Sequence, residues 1–268
     1  MQPRPAIHRL AASLVLSAVL AACGSSSVAP SSNEPVPITG PQVQAWVTTA
    51  DKTKLLALDT PPGSLGFGDR APAAADIAVN PAVRYQTMVG FGASITDATA
   101  WLMMNRMSAE QRQALLQELF GRGPNGIGFD LTRLTIGASD FSRTHYSLAD
   151  PPGGGADMTL SSFSINANRA DVLPVTQAAL AINPQLKVMA SPWSAPAWMK
   201  TTGSLIKGTL KPEMYDVFAQ YLLKYVDAYA AEGVPIFALT VQNEPHFEPG
   251  DYPGMRLDPP QRARLIGQ

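Results

Sequence analysis

Apolar residues recur along this chain in two rhythms. Short runs of four to eight apolar or β-branched residues alternate with longer stretches in which they return every three or four positions. The short runs predict strands at Thr87–Ser94, Asp130–Gly137, Leu186–Ser191 and Ile236–Asn243, each leading toward a helical stretch. Ser108-Ala-Glu-Gln111 has the form of a capping box, and Leu115, Leu116, Leu119 and Phe120 then share one helix face. A second helix spans Asp171 to Ile182 and is stopped by Asn183-Pro184. A third begins at Pro212, where a first-turn proline is tolerated, and ends before Gly233. Its stripe of Met214, Val217, Phe218, Tyr221, Leu222, Tyr225 and Tyr229 reads as core rather than as a ligand surface. Earlier, 42–58 and 76–89 alternate as strands of a small β element around a Gly/Pro-rich loop at 61–72.

Repeated strand–helix units imply a parallel sheet. The choice lies between an open doubly wound sheet and a closed eight-stranded barrel. No Gly-rich phosphate turn follows a strand, which weakens the nucleotide-binding form. Polar residues instead gather at the C-terminal ends of strands: Thr96 and Asp97, Ser139 and Asp140, Ser191, Trp193 and Ser194, Asn243 and Glu244. Barrel enzymes place their catalytic groups at that end. The expected fold is α/β, a (β/α)8 barrel of which about four units are present between 85 and 268, preceded by strands of a β-rich side domain at 42–84.

Composition narrows the function. Of 268 residues, 46% are apolar and 15% charged, and the net charge is −1, which excludes a protein holding polyanions by bulk charge. No nucleic-acid partner is expected, and no protein partner is called for. The single cysteine excludes an intramolecular disulfide and a cysteine zinc cage. The three histidines, His8, His145 and His246, are scattered, so no metal or organic cofactor is implied. At the N-terminus, Arg4, His8 and Arg9 precede the apolar run Leu10–Ala22, too short to span a bilayer and built like a secretory signal over 1–22. The run ends Leu20-Ala21-Ala22-Cys23-Gly24, which resembles a bacterial lipoprotein box with Cys23 as the lipidated residue. Acyl chains there would hold the protein on a membrane surface through a flexible Ser/Pro/Gly-rich tether over 23–41. Gly24 beside the cysteine favours, by the same resemblance, the outer membrane.

The chemistry is expected at Asn243-Glu244-Pro245. A carboxyl at a strand's C-terminal end faces the barrel mouth, and partial burial would raise its pKa until it donates a proton near neutrality. Asn243 beside it can hydrogen-bond a sugar hydroxyl, and Pro245 ends the ladder. Taken alone, three residues fit an ordinary strand-to-loop turn equally well.

Four segments give them context: Gly90-Phe-Gly-Ala-Ser-Ile-Thr-Asp97-Ala, Leu131-Thr-Arg133-Leu-Thr-Ile-Gly-Ala-Ser-Asp140-Phe-Ser, Ala190-Ser-Pro-Trp193-Ser-Ala-Pro-Ala-Trp198-Met-Lys200 and Thr240-Val-Gln-Asn243-Glu244-Pro245. Their content and order resemble glycoside hydrolase family 30, the glucosylceramidase-like retaining β-glycosidases, over the N-terminal half of that fold. The resemblance implies a TIM barrel with a β-rich side domain. It implies Glu244 as general acid/base, Asn243 against the hydroxyl beside the anomeric carbon, Asp97 and Trp193 as holders of the terminal sugar, and Arg133 as a supporting residue. Each has a second reading. Asp97 can cap the following helix, Trp193 can be core, and Arg133 can be a structural brace. Trp198 reads as packing and His246 as surface loop. Tyr252 occupies a loop position similar to a family aromatic, with shifted spacing.

Retaining hydrolysis needs a second carboxylate as nucleophile, which the family carries on its seventh strand. Glu248, Asp251 and Asp258 lie in the loop after Glu244, too near in sequence to oppose it. The expectation is therefore an N-terminal fragment, inactive alone and poorly soluble through its open sheet edges. The expected function is hydrolysis of β-glucosidic bonds in the manner of glucosylceramidases. An endo-β-1,6-glucanase of the same family, a non-catalytic glycan-binding surface lipoprotein and a split barrel completed by another chain stand as alternatives.

Overall fold

A computed structural model of the chain describes residues 43–61, 65–66 and 79–268, in two units divided between Val83 and Arg84. The expected leader, the expected lipidation site Cys23 and the expected tether lie outside the described residues. In the first unit, β1 (Trp46–Val47) and β2 (Ala57–Leu58) form an antiparallel hairpin in the register Trp46↔Leu58 and Val47↔Ala57. Over its described part, 43–58, the expected segment 42–58 is thus two short strands and a turn, closed by Asp59 N–H donating to Ala45 O at 2.8 Å. The expected strand at 76–89 is not formed over its described part, 79–89. Asn80 and Pro81 make a turn instead, with the Asn80 side chain accepting from Ala82 N–H at 3.0 Å. Alternation alone does not make a strand without a partner to complete its ladder.

The second unit carries a four-stranded parallel sheet in the order β3 (Gly92–Ser94), β4 (Leu131–Ile136), β5 (Lys187–Pro192) and β6 (Ile236–Leu239). Each strand is followed by helix: α1 (Asp97–Asn105) and α2 (Ala109–Phe120), α3 (Asn166–Arg169) and α4 (Val172–Ile182), α5 (Tyr215–Ala231), and α6 (Pro259–Ile266). These are four consecutive strand–helix units of a partial TIM barrel.

The capping box of α2 is present: Ser108 Oγ accepts from Gln111 N–H at 3.2 Å, and Gln111 Oε1 accepts from Ser108 N–H at 2.9 Å. The aromatic stripe of α5 is core. Phe218, Tyr221, Tyr225 and Tyr229 are wholly buried, with Phe218 and Tyr221 stacked at 5.8 Å and Phe163 meeting Tyr221 edge-on at 5.6 Å. Tyr221 also accepts from Leu148 N–H at 3.2 Å, which ties α5 to the loop after β4.

The expected strands differ in how fully they form. β4 and β5 run nearly as predicted, because each has a strand on both sides and a buried face. β3 is only three residues and wholly exposed, and β6 leaves regular pairing after Leu239. Gly92 fits β3 against β4 because a Cβ there would lie 1.7 Å from Leu131 O. Gly137 ends β4 in a left-handed turn at φ +78° that an L side chain would strain.

Candidate active site

Because the sheet is parallel, the segments after all four strands emerge at one end. After β6 the chain stays attached to β5 through Thr240 N–H to Ala190 O at 3.0 Å and Asn243 N–H to Pro192 O at 2.8 Å. Gln242 lies buried between these bonds. Its amide donates to Trp193 O and Asn243 O, both at 2.8 Å, and to Met255 O at 3.1 Å. The segment is therefore fixed from below by its own neighbours.

Glu244 sits on top of this anchor. It is exposed, and its backbone is left-handed at φ +45°. Pro245 disfavours the right-handed helical region for the residue before it, so the turn holds Glu244 in a sparsely populated conformation. The bond from Phe247 N–H to Glu244 O at 2.9 Å closes that turn. The partial burial expected of this carboxyl is absent, since the turn lifts it off the sheet into solvent.

Arg133 on β4 reaches across to the same place. Its Nη2 donates to Asn243 Oδ1 at 2.8 Å, and its guanidinium lies 4.8 Å from the centroid of the Trp193 ring. Asn243 Nδ2 in turn donates to Glu244 Oε2 at 3.4 Å, a long bond that orients more than it binds. Burial lowers the Arg133 pKa, and the charges of Asp140 and Glu244 partly restore it. Arg133, Trp193, Asn243 and Glu244 thus form one constellation spanning β4, β5 and β6. Trp193 is half-buried and offers an apolar face.

Asp97 is held differently. It is the first residue of α1, whose cap is Thr96: the Thr96 hydroxyl accepts from Thr99 N–H at 3.2 Å. Asp97 is only 3% exposed. Its Oδ1 accepts from Arg143 N–H at 3.0 Å and Arg143 Nε at 2.8 Å, and its Oδ2 from Arg143 Nη2 at 3.0 Å. Burial pushes the Asp97 pKa up, but the bonds and charge of Arg143 outweigh it and the net shift is downward. Arg143 also donates to Asp171 Oδ2 at 2.9 Å, and Asn105 Nδ2 donates to Asp171 Oδ1 at 3.0 Å. The side-chain bonds of Asp97 therefore go to Arg143 rather than to the Arg133–Glu244 constellation. A carboxylate offers about four acceptor positions, so about one remains open.

Two groups that shape the site were not legible in the pattern of residues. Arg143 stands in an irregular loop with no periodicity to mark it. Gln242 reads as one polar residue among several. Of the residues the sequence marked more weakly, Tyr252 is half-buried on the loop after β6. Its pKa is raised first by desolvation and then by the carboxylates of Glu244, Asp140 and Asp251. Trp198 packs on the core with Nε1 donating to Ala149 O at 2.8 Å, and His246 is exposed beside Arg262 on α6.

Comparison with known proteins adds a family. Residues 88–253 match the glycosyl hydrolase family 30 TIM-barrel domain. An endo-1,6-β-D-glucanase of Aspergillus fumigatus is 39% identical over 196 residues, covering 68% of this chain and 40% of that protein. The lysosomal acid glucosylceramidase of Mus musculus is 35% identical over 176 residues, covering 63% of this chain and 33% of that protein. Among solved structures, the endo-β1,6-glucanase BT3312 superposes with a TM-score of 0.67 at 33% identity, covering 84% of this chain and 47% of that one. The chain thus spans between one third and one half of the length of these relatives.

Proposed function

Since this chain belongs to glycosyl hydrolase family 30, we propose that it carries the proton-transferring half of a retaining β-glucosidase-type site, with Glu244 as general acid/base. The observation that carries the reading is the chain of contacts from Trp193 through Arg133 and Asn243 to Glu244 at the strand ends. Arg133 engages the Asn243 carbonyl oxygen and so leaves the amide N–H groups to point toward Glu244 and a sugar hydroxyl. The Trp193 face accepts the C–H side of the ring. Glu244 would protonate the departing glycosidic oxygen and then, as base, take a proton from the water that releases the sugar.

The intervening step needs an opposed carboxylate about 5–5.5 Å away. Of the acidic residues that follow Glu244, Glu248 accepts from Gly208 N–H at 2.8 Å and Asp258 caps α6 and pairs with Arg256 at 3.0 Å, while Asp251 stands on the same loop as Glu244, too near in sequence to oppose it. Hydrolysis is therefore proposed for the barrel with that second group in place. For the substrate, the two endo-β-1,6-glucanase matches support a β-1,6-glucan at least as well as the mouse enzyme supports glucosylceramide.

The test is to offer the full chain an aryl β-glucoside, a β-1,6-gluco-oligosaccharide and glucosylceramide, and to follow binding and hydrolysis separately. Saturable binding of the oligosaccharide that is lost in Trp193→Ala, without turnover, is expected. Turnover abolished by Glu244→Gln would overturn the need for a second carboxylate beyond those described, and absence of binding to all three would sink the site itself.

A further inference from the structure

Lys200 is the one lysine whose side chain is fully buried among the described residues. It stands at the end of the Trp198-Met-Lys200 turn, and its ammonium makes no ion pair among them. Instead Nζ donates to Ser194 Oγ at 2.9 Å, Leu205 O at 2.7 Å and Gly254 O at 2.7 Å. Ser194 spends its own hydroxyl proton on Ala195 O at 2.8 Å, so it is an acceptor for the lysine. The three acceptors come from three segments: the end of β5, the 201–208 turn and the loop after β6. The same segments are stitched by Gly254 N–H to Leu205 O at 3.0 Å and Arg256 N–H to Gly208 O at 2.8 Å. The loop after β6 is the one that carries Glu244 and Tyr252.

The geometry points to Lys200 as a positioning residue that ties this loop to the end of β5 and so sets where Glu244 and Tyr252 stand. This inference rests on the reading of Glu244 as the acid/base. A buried ammonium without a carboxylate is costly; it offers three donors to the three converging acceptors, and the neutral amine, free of that cost, still offers two. A surface lysine would have neither property.

Burial also gives the tie a readable signature. It pulls the Lys200 pKa down to about 7, with Glu248 opposing the shift. The other ionisable groups on the surrounding segments are Lys207 on the turn, and Glu244, His246, Asp251, Tyr252 and Arg256 on the loop after β6. Once the loop lifts and the amine meets water, its pKa returns to the ordinary value near about 10.4. The lifted state then binds more protons between those two values. Docking therefore strengthens as pH rises from about 7 toward about 10, by up to about tenfold per pH unit, and is flat below about 7.

Amide hydrogen exchange on the full chain, corrected for intrinsic rates, tests this without substrate. The amides of Asn243, Gly254, Arg256 and Leu257 report the loop, and those of α2 report the rest of the unit. The expected result is loop protection that rises severalfold between pH 7 and 9 while α2 stays constant. Lys200→Met should lower loop protection and make it flat, and Glu244→Gln should leave the rise intact. A flat wild-type profile, a rise that survives in Lys200→Met, a rise lost in Glu244→Gln, or α2 rising in step with the loop would each overturn the inference. If Lys200→Met does not fold, the wild-type and Glu244→Gln profiles still decide it. Because no sugar enters the measurement, a failed assay for hydrolysis would leave this result standing, and the converse holds.

Discussion

Asp97 and Glu244 are carboxylates at matching places, each just beyond the C-terminal end of an outer strand of the same sheet, yet the fold treats them in opposite ways. Asp97 is buried, takes three hydrogen bonds from one arginine and shares that arginine with Asp171. Glu244 is exposed, has one long side-chain bond and stands on a left-handed backbone. The first corner is satisfied electrostatically and joins α1 to α4 through Arg143 and Asp171. The second is held through its backbone and neighbours while its carboxylate is left nearly free. A carboxylate held by a fixed cation is kept ionised and in place, whereas one that is nearly free is accessible to a ligand. The β3 corner is thus closed around a fixed ion pair, with Asp97 keeping about one acceptor position, and the β6 corner is open, which is the difference the proposed role of Glu244 needs.

The largest effect should come from breaking the closed corner. Asp97→Ala leaves the Arg143 guanidinium with Asp171 as its one carboxylate partner and removes three of the bonds that tie α1 to the loop after β4. A cost of about 2–3 kcal/mol is expected, below the range for a wholly buried pair because Arg143 is partly exposed. Urea denaturation measures it. The acid limb should change too. The folded pKa of Asp97 lies below its unfolded value, so its contribution is present above about pH 4 and lost as pH falls through the folded pKa. Asp97→Ala should flatten stability in that window. A loss under about 1 kcal/mol would mean that the Arg143 contacts contribute little and that the corner is not closed.

A smaller effect tests whether the open corner is an independent unit. Arg133→Met leaves Asn243 Oδ1 without its donor and removes the cation from the Trp193 face. It should cost about 1–2 kcal/mol. In double-mutant cycles it should couple to Asn243→Ala by about 1 kcal/mol and be additive with Asp97→Ala within about 0.5 kcal/mol. Strong coupling to Asp97 instead would merge the two corners into one network.

The same contrast explains what could be read from the sequence. β4, β5, α2 and α5 follow from periodicity because each buries one regular face, and the capping box at Ser108 is local chemistry. The strand ends on which Asp97 and Glu244 stand were also legible, since polar residues after apolar runs mark where a parallel sheet opens. The partners were not. Arg143 is 46 positions from Asp97, and Arg133 is 110 from Asn243. No pattern within a window links such pairs; only the closing of strand beside strand does. The alternation at 79–89 misled for the converse reason, being a local pattern with no ladder to join. Glu244 shows a further limit. Its place was readable, but burial was expected where the turn at Pro245 gives exposure, because a backbone in the left-handed region does not announce itself in side-chain polarity.

The smallest effect bears on that backbone, and it has an unusual sign. An L residue held in the left-handed region costs about 1–2 kcal/mol, a cost glycine does not bear. Glycine in turn gives the unfolded chain more freedom, which returns about half of that gain. Glu244→Gly should therefore raise stability by about 0.5–1 kcal/mol in urea denaturation. Glu244→Gln keeps the side-chain length, the strain and an acceptor for Asn243, and loses only an exposed charge near Arg133, so it should match the wild type within about 0.3 kcal/mol. The order glycine, then glutamine and glutamate together, is the signature of a residue retained for its carboxylate against the preference of its backbone. If glycine were instead less stable than glutamine, the turn would not be strained, and the β6 corner would differ from the β3 corner in charge alone.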